Sequence, residues 1–326
     1  MTAKFMNADA FNVIKNMEDE SLDAVITDPP YFLDSMGTGD SWDAKGMDEC
    51  RTVNQVVSSL KGGMKFDKQQ GVNFQNAMNS MASESLRVLK PGGWFIAFSA
   101  PRLYHRLAIG VEDAGYEIRD MMEWLYTQNQ MKAMGLKRQL GKDDDIDDNE
   151  RMKLSYELTN WKTPQMKSCF EPIVIAQKPR EGTFYENWRV HHIGLINVRT
   201  NQGDGQMTAN VMTSDHMNEI IDHAFLVNKP DKKEKTGTTH PSVKPLSIMR
   251  QLIRVFIPEG GRIFDPFLGS GTTGFAALDE NIEFIGTEIN YDYYQQALAR
   301  ARSRHYIVNE TNDGIAVITN DNGLFE

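Results

Sequence analysis

Residues Asp265-Pro-Phe-Leu-Gly-Ser-Gly-Thr-Thr-Gly274 follow a short apolar run, Arg262 to Phe264, and lead into Gly271 to Leu278, which has helical spacing. A glycine-rich turn between strand and helix lets a ligand approach the backbone and offers it the unpaired N–H groups of the helix start. Such a turn is weak evidence by itself. Here Glu283 to Thr287 (EFIGT) reads as a second strand, and Glu288 stands at its tip, where a carboxylate meets ribose hydroxyls. No Gly-Lys-Ser/Thr follows the glycines, so nothing holds β- and γ-phosphates and triphosphate hydrolysis is disfavoured. A ligand with ribose and adenine but no pyrophosphate fits better, which points to S-adenosylmethionine.

Downstream, Tyr291 to Arg302 reads as a helix, and the resulting β-α-β-α series is the nucleotide-binding half of an open parallel sheet. Before it, Leu246, Met249, Leu252, Ile253, Phe256 and Ile257 recur at helical spacing after Pro245. The first half alternates in the same way. Leu22 to Thr27 (LDAVIT) is a buried strand stopped by Asp28-Pro29-Pro30, since two prolines cannot continue a ladder. Asn76 to Leu89 reads as a helix closed by Lys90-Pro91-Gly92-Gly93, and Trp94 to Ser99 as the next strand. Pro101 to Ala114 follows as a helix, then Tyr116 to Tyr126 and Glu171 to Gln177 as strands. The run Asp143 to Glu150 (DDDIDDNE) reads as a solvated loop. From Arg180 to Thr239 the periodicity dissolves around Phe184, Tyr185, Trp188, His191 and His192, and this stretch is too long for a bare loop in a compact domain. Asp34 to Asn76, with Gly37, Gly39, Gly46, Gly62 and Gly63, reads either as a segment that orders over a ligand or as a surface connection.

The chain has 326 residues, 40% hydrophobic and 25% charged, which excludes the disordered and collagenous classes. A chain of this length buries about three quarters of its unfolded surface and needs no disulfide or metal staple. Its two cysteines, Cys50 and Cys169, fit no ligand or framework spacing, which suits a reducing compartment. No signal-like start and no run of about eighteen apolar residues is visible, so a cytoplasmic location is expected, without a membrane. The adjacent His191 and His192 lack partners at ligand spacing, and no metal is expected. The net charge of −10 argues against nucleic acid when taken alone. Between Lys229 and Arg254, however, five Lys and two Arg oppose Asp231 and Glu234, a local balance of +5.

The second chemical constellation is Thr27-Asp28-Pro29-Pro30-Tyr31-Phe32, at the end of the LDAVIT strand. Composition alone allows it to be a rigid exit loop. It also offers an acceptor, Asp28, beside carbonyls fixed by the prolines, and an aromatic face, Tyr31, on which a base can stack.

Asp28-Pro-Pro-Tyr31 together with Phe267-Leu-Gly-Ser-Gly-Thr-Thr273 closely resembles the amino-methylating DNA methyltransferases, which act on adenine N6 or cytosine N4. Supporting matches are Asn7-Ala-Asp9-Ala, Leu86-Arg-Val-Leu-Lys-Pro-Gly-Gly93, Glu171-Pro-Ile and His240-Pro-Ser-Val-Lys-Pro245. The catalytic motif precedes the cofactor motif, as in the β group of that family. The resemblance implies an α/β fold, a Rossmann-like, seven-stranded, mostly parallel sheet with helices on both faces and an inserted target recognition region. Residues 1–179 and 240–326 would form the catalytic and cofactor-binding halves, with 180–239 as the recognition region.

On these residues the resemblance implies that Asp28, Pro29, Pro30 and Tyr31 are catalytic. Asp9, Asp28, Lys244, Asp265, Phe267, Gly269, Ser270, Gly271, Thr272 and Glu288 would surround S-adenosylmethionine. Arg180, Arg189 and Arg199, with Asn201 and Gln202, are residue types that read base edges, and Lys232, Lys233 and Lys235 types that neutralise phosphates. Aspartate at the head of the motif is typical of N6-adenine enzymes and Ser-Pro-Pro of N4-cytosine enzymes, so adenine is expected, in duplex DNA, with the base flipped out. Methylation of cytosine carbon five needs a cysteine nucleophile, usually after proline, whereas Cys50 follows Glu49 and Cys169 follows Ser168. Pro-Pro-Tyr motifs also serve RNA and protein amide methyltransferases, and a non-catalytic subunit of a modification complex would keep the fold. The intact Asp28, Tyr31, Gly269 and Glu288 favour an enzyme. No nuclease motif is visible, so restriction would require a companion endonuclease, and analogy with the group implies a homodimer.

Overall fold

The structure is a computed structural model that describes residues 1–30, 68–126, 135–164, 166, 168–198, 210–213, 225–226, 230, 234–240 and 242–320. Its elements in chain order are β1 (Thr2–Met6), α1 (Ala10–Lys15), β2 (Leu22–Thr27), α2 (Lys68–Val88), β3 (Leu89–Phe98), α3 (Tyr104–Asp113) and β4 (Glu117–Leu125). Then come α4 (Lys137–Leu140), α5 (Asp148–Glu157), β5 (Phe170–Gln177), α6 (Phe184–His191), β6 (Val211–Thr213) and β7 (Phe225–Leu226). The last part holds α7 (Leu246–Phe256), β8 (Arg262–Asp265), α8 (Thr272–Asp279), β9 (Glu283–Thr287), α9 (Tyr291–Ser303), β10 (Ile307–Glu310) and β11 (Ile315–Thr319).

All the described strands join one sheet in the order β10-β11-β1-β9-β8-β2-β3-β5-β4-β6-β7. The expected seven-stranded sheet is its central block, β1-β9-β8-β2-β3-β5-β4, in which only β5 runs against the rest. Four short strands beyond that expectation extend it: β10 and β11 as a hairpin on β1, and β6 and β7 beside β4.

Every residue of β2 is buried, as befits a parallel strand covered on both faces. Ala24 and Ile26 pack with the buried faces of α7, α8 and α9, whereas Leu22 and Val25 pack with α1, α2 and α3. The apolar spacing read between Leu246 and Phe256 is the stripe that α7 buries. Asp23 is an acid inside this strand, only 2% exposed, because its carboxylate accepts from Lys90 Nζ at 2.7 Å and Arg262 N at 2.8 Å. It thereby ties β2 to the base of β3 and the start of β8.

Three local readings change. Lys90 to Gly93 does not separate helix from strand; β3 begins at Leu89, and the register jumps from Leu22↔Leu89 to Ala24↔Trp94, so these residues bulge within the strand. The acidic run is partly helical, because Asp147 caps α5 through Glu150 N and places Asp148 and Glu150 in the first turn, where the helix dipole favours acids. Inside the supposedly irregular 180–239 stretch, Thr183 and Glu186 form a capping box that starts α6. Asn187 of α6 is buried, donates to the Pro91 and Ile193 carbonyls, and holds the helix on the β3 bulge. The Asp34 to Asn76 reading lies outside the described residues up to position 67.

Candidate active site

The sheet order reverses between β8 and β2: the chain continues from β8 to β9 on one side and from β2 to β3 on the other. The carboxyl ends of the two strands therefore flank a crevice, the position where open α/β sheets bind ligands. Thr27 Oγ1 donates to Asp265 Oδ1 at 2.7 Å and ties the two tips together.

Asp265 also accepts from Phe267 N at 3.0 Å and, through Oδ2, from Thr273 Oγ1 at 2.7 Å. It is only 2% exposed, and burial pushes its carboxyl up to about 6. It thus lies beneath the turn and shapes it. Above it, Gly269 (φ +51°) and Gly271 (φ +82°) adopt left-handed conformations. A Cβ on Gly271 would lie 3.0 Å from the Phe5 ring, and one on Gly269 would lie 3.0 Å from His240 Nε2. Glu288 closes the turn: Oε2 accepts from Gly269 N at 2.9 Å and Oε1 from Asn290 N at 2.8 Å. Burial raises its carboxyl to about 7 against those bonds. Ser270 and Thr272 are buried, with their hydroxyls 3.2 Å apart. Phe267 and Glu288, with Ala8, Ala10, Pro266 and Thr287, line a small cleft at the tips of β8 and β9. Asp9 caps α1 beside it, accepting from Phe11 N at 2.8 Å.

Asp28 stands across the crevice. Its Oδ2 accepts from Ser242 Oγ at 2.7 Å and from the Lys244 ammonium. Its Oδ1 is buried and has no hydrogen-bond partner among the described residues. Lys244 is 5% exposed, lies 3.3 Å from Glu171 Oε2, and sits over the Phe98 ring at 5.1 Å. Burial favours loss of its proton, but the carboxylates of Asp28 and Glu171 outweigh that and hold the ammonium above its ordinary range. The motif match puts Lys244 in the cofactor pocket; in the structure its ammonium is spent on the Asp28 side. His240, between Ser242 and the glycine turn, is lowered to about 4 by burial and is neutral near pH 7. Its Nδ1 accepts from Ser242 N at 3.3 Å and its ring meets Tyr293 edge-on at 4.7 Å. Pro29 is buried behind Asp28, while Tyr31 lies outside the described residues.

Two site residues receive no role from the motifs. Glu171 enters only through the Glu171-Pro-Ile match. Arg300 of α9 is 3% exposed, donates to the Ser270 carbonyl, and also reaches the Glu234 carbonyl at 2.7 Å, so it clamps the glycine turn. Its sequence signal is a charge on the helix face shared by Ala297, Leu298 and Ala301.

Three of the residues expected to touch DNA are described. Arg180 stacks over Phe184 at 4.3 Å, Arg189 over Tyr185 at 5.8 Å, and Lys235 is exposed. Arg199, Lys232 and Lys233 lie outside the described residues. The local excess of positive charge is smaller than the sequence suggests, because Arg250 and Arg254 both pair with Glu280 and Lys244 turns inward. Among the described residues no cluster of three His, Cys, Asp or Glu suits a metal, and no helix is long and apolar enough to cross a membrane.

A glycine turn with an acid at the next strand tip, facing an Asp-Pro-Pro strand end, agrees with the match of residues 22–299 to the N6/N4 DNA methylase family model. The chain belongs to that family of DNA methylases. Over 310 residues this methylase is 27% identical to the type II methyltransferase M.HindIII of Haemophilus influenzae, covering 90% of this chain and 93% of that one. Its fold is that of the cytosine-N4-specific PvuII DNA methyltransferase, with a TM-score of 0.58, 14% identity and coverage of 91% and 85%. A DNA modification methylase from Thermus thermophilus, solved with S-adenosyl-L-methionine, superposes with a TM-score of 0.51 at 17% identity, covering 92% and 93%.

Proposed function

We propose that this DNA methylase transfers the methyl group of S-adenosylmethionine to the exocyclic N6 of an adenine extruded from duplex DNA at a specific site. The observation that carries the reading is Asp28 Oδ1, a buried acceptor without a described partner at the tip of β2, the strand whose Thr27 is bonded to the tip of β8 where the glycine turn begins. A buried acceptor left unmade costs about 1–3 kcal/mol, a cost met when a donor arrives.

The residues fit the cofactor. Gly269 and Gly271 hold a left-handed turn packed too closely on His240 and Phe5 for a Cβ, the Glu288 carboxylate suits ribose hydroxyls, and Phe267 lines the adjoining cleft. When bound, S-adenosylmethionine supplies a methyl group made electrophilic by its sulfonium. The protein supplies position and charge. Asp28 Oδ1 and the Pro29 carbonyl accept the two amino hydrogens, which favours a tetrahedral nitrogen with an available lone pair and stabilises its developing positive charge. Tyr31 stacks on the extruded base. Neutral His240 keeps a second positive charge away from the sulfonium. We assign sequence recognition to the 180–239 region, with Arg180 and Arg189 of the described part at its start.

The test is to incubate the protein with unmethylated genomic DNA, RNA and peptide in competition for isotope-labelled S-adenosylmethionine, separate the three, digest the nucleic acids to nucleosides and identify the labelled product by mass spectrometry. N6-methyldeoxyadenosine is the expected product. N4-methyldeoxycytidine would overturn the adenine assignment, and label confined to RNA or protein would overturn DNA as the substrate.

A further inference from the structure

The Asp28 carboxylate is gripped on one oxygen and bare on the other. Ser242 Oγ and Lys244 Nζ both bind Oδ2, and Lys244 is braced by Glu171 at 3.3 Å, while Oδ1 makes no described bond. Lys244 Nζ also bonds Ser242 Oγ at 3.0 Å, so Asp28, Ser242 and Lys244 form one closed contact set. This set and Glu171 come from the tip of β2, the start of β5 and the segment before α7. Other titratable groups face it: His240 and Asp265 act electrostatically on or with Asp28, and Tyr126 lies near Glu171 and Lys244.

We propose that Lys244 and Glu171 are positioning residues for the methyl-transfer step, Lys244 fixing Asp28 as an ionised, single-faced acceptor and Glu171 tuning how strongly Lys244 does so. The reasoning is electrostatic. An oxygen can accept from an amino group only while it carries no proton, and a carboxylate kept charged inside the protein costs desolvation free energy. An ammonium on Oδ2 offsets that cost without occupying Oδ1. Two carboxylates around one ammonium leave one net negative charge, opposite in sign to the sulfonium and to the nitrogen as the C–N bond forms and the C–S bond breaks. The electron pair of that bond goes to sulfur, giving a neutral thioether, and the nitrogen then sheds a proton to Asp28 or to water. Glu171 makes the cluster anionic, and Lys244 separates two carboxylates that would otherwise repel each other.

This inference rests on the methyl-transfer reading, and its test separates the two. The single-turnover rate of label transfer is measured from pH 5.5 to 9 with enzyme in excess over unmethylated genomic DNA, and S-adenosylmethionine affinity by equilibrium dialysis. The nucleoside product of the wild type reports which base is modified, whichever it is; ratios between variants report the role of the cluster. Lys244→Met is expected to lower the rate about 100-fold, with cofactor affinity held within about threefold. Glu171→Gln is expected to lower the rate less than Lys244→Met does, and Lys244→Arg to recover most of the lost rate. Retained cofactor affinity certifies that each variant is folded. An unchanged rate in Lys244→Met, no recovery in Lys244→Arg, or loss of cofactor affinity in step with rate would overturn the proposal.

Discussion

At the tip of β8, Asp265 takes two of its three donors from its own turn, Phe267 and Thr273, whereas at the tip of β2 Asp28 reaches 214 and 216 positions along the chain to Ser242 and Lys244. The β8 side is a local device: glycines with positive φ, a backbone N–H on Glu288 and an acid under the turn lie within one β-α-β unit. Its carboxyls, saturated by neutral donors, are pushed up by burial to about 6 and about 7. The β2 side is assembled from distant segments around one ammonium. Local construction suits a fixed nucleoside cradle, whereas long-range assembly leaves one oxygen of a charged group open for a substrate that enters from outside.

The contrast predicts that removing Asp28 harms chemistry and spares the cradle. Asp28→Ala should lower the methyl-transfer rate by roughly a thousandfold or more, with S-adenosylmethionine affinity from dialysis changed less than about threefold. A parallel loss of affinity would merge the two regions into one. Damage on the opposite side should reverse the pattern. Gly271→Val places a β-branched residue at φ +82° with a Cβ 3.0 Å from Phe5, and should cost about 1–3 kcal/mol of stability in denaturant unfolding together with most cofactor affinity.

Glu288 gives a subtler separation. Because burial lifts its folded value to about 7, above the ordinary 4.5, the neutral acid is favoured in the folded free protein. Its contribution to stability is therefore full below about 4.5 and is lost as pH rises through about 7. Ribose hydroxyls donate best to the ionised form, so cofactor affinity should rise between about pH 6 and about pH 8. Glu288→Gln should weaken binding about tenfold and flatten that rise, read by dialysis at each pH. The smallest expected effect is at the rim. Lys235→Ala should reduce the slope of DNA affinity against salt by about one charge and leave cofactor binding unchanged, measured by fluorescence anisotropy with duplex DNA.

The local side is the more legible in the sequence. Gly269, Gly271 and Glu288 announce themselves because turn, helix start and strand tip are contiguous, and the structure brings all three together. Strand identities follow for the same reason: β2, β5, β8 and β9 are short apolar runs with clear stops. What escapes is whatever depends on distant partners. Lys244 reads as a motif residue beside the cofactor until its contacts with Asp28 and Glu171 are seen. Arg250 and Arg254 read as free positive charge until Glu280 is placed against them. The capping box of α6 is readable as Thr183 and Glu186, yet the polar residues around it mask a single buried contact, Asn187, that fastens the helix to β3.

The sheet order also bears on how the chain is made. Among the described strands β1 pairs with β9 and β11, and β2 completes its hydrogen bonding when β8 lies along the edge opposite β3. During synthesis β1 and β2 must therefore wait, with unpaired edges, for partners that follow them from Arg262 onward. Synthesis and folding cannot run in step in this protein: any polypeptide that stops short of Arg262 is left with an open-edged half-sheet that has every reason to aggregate.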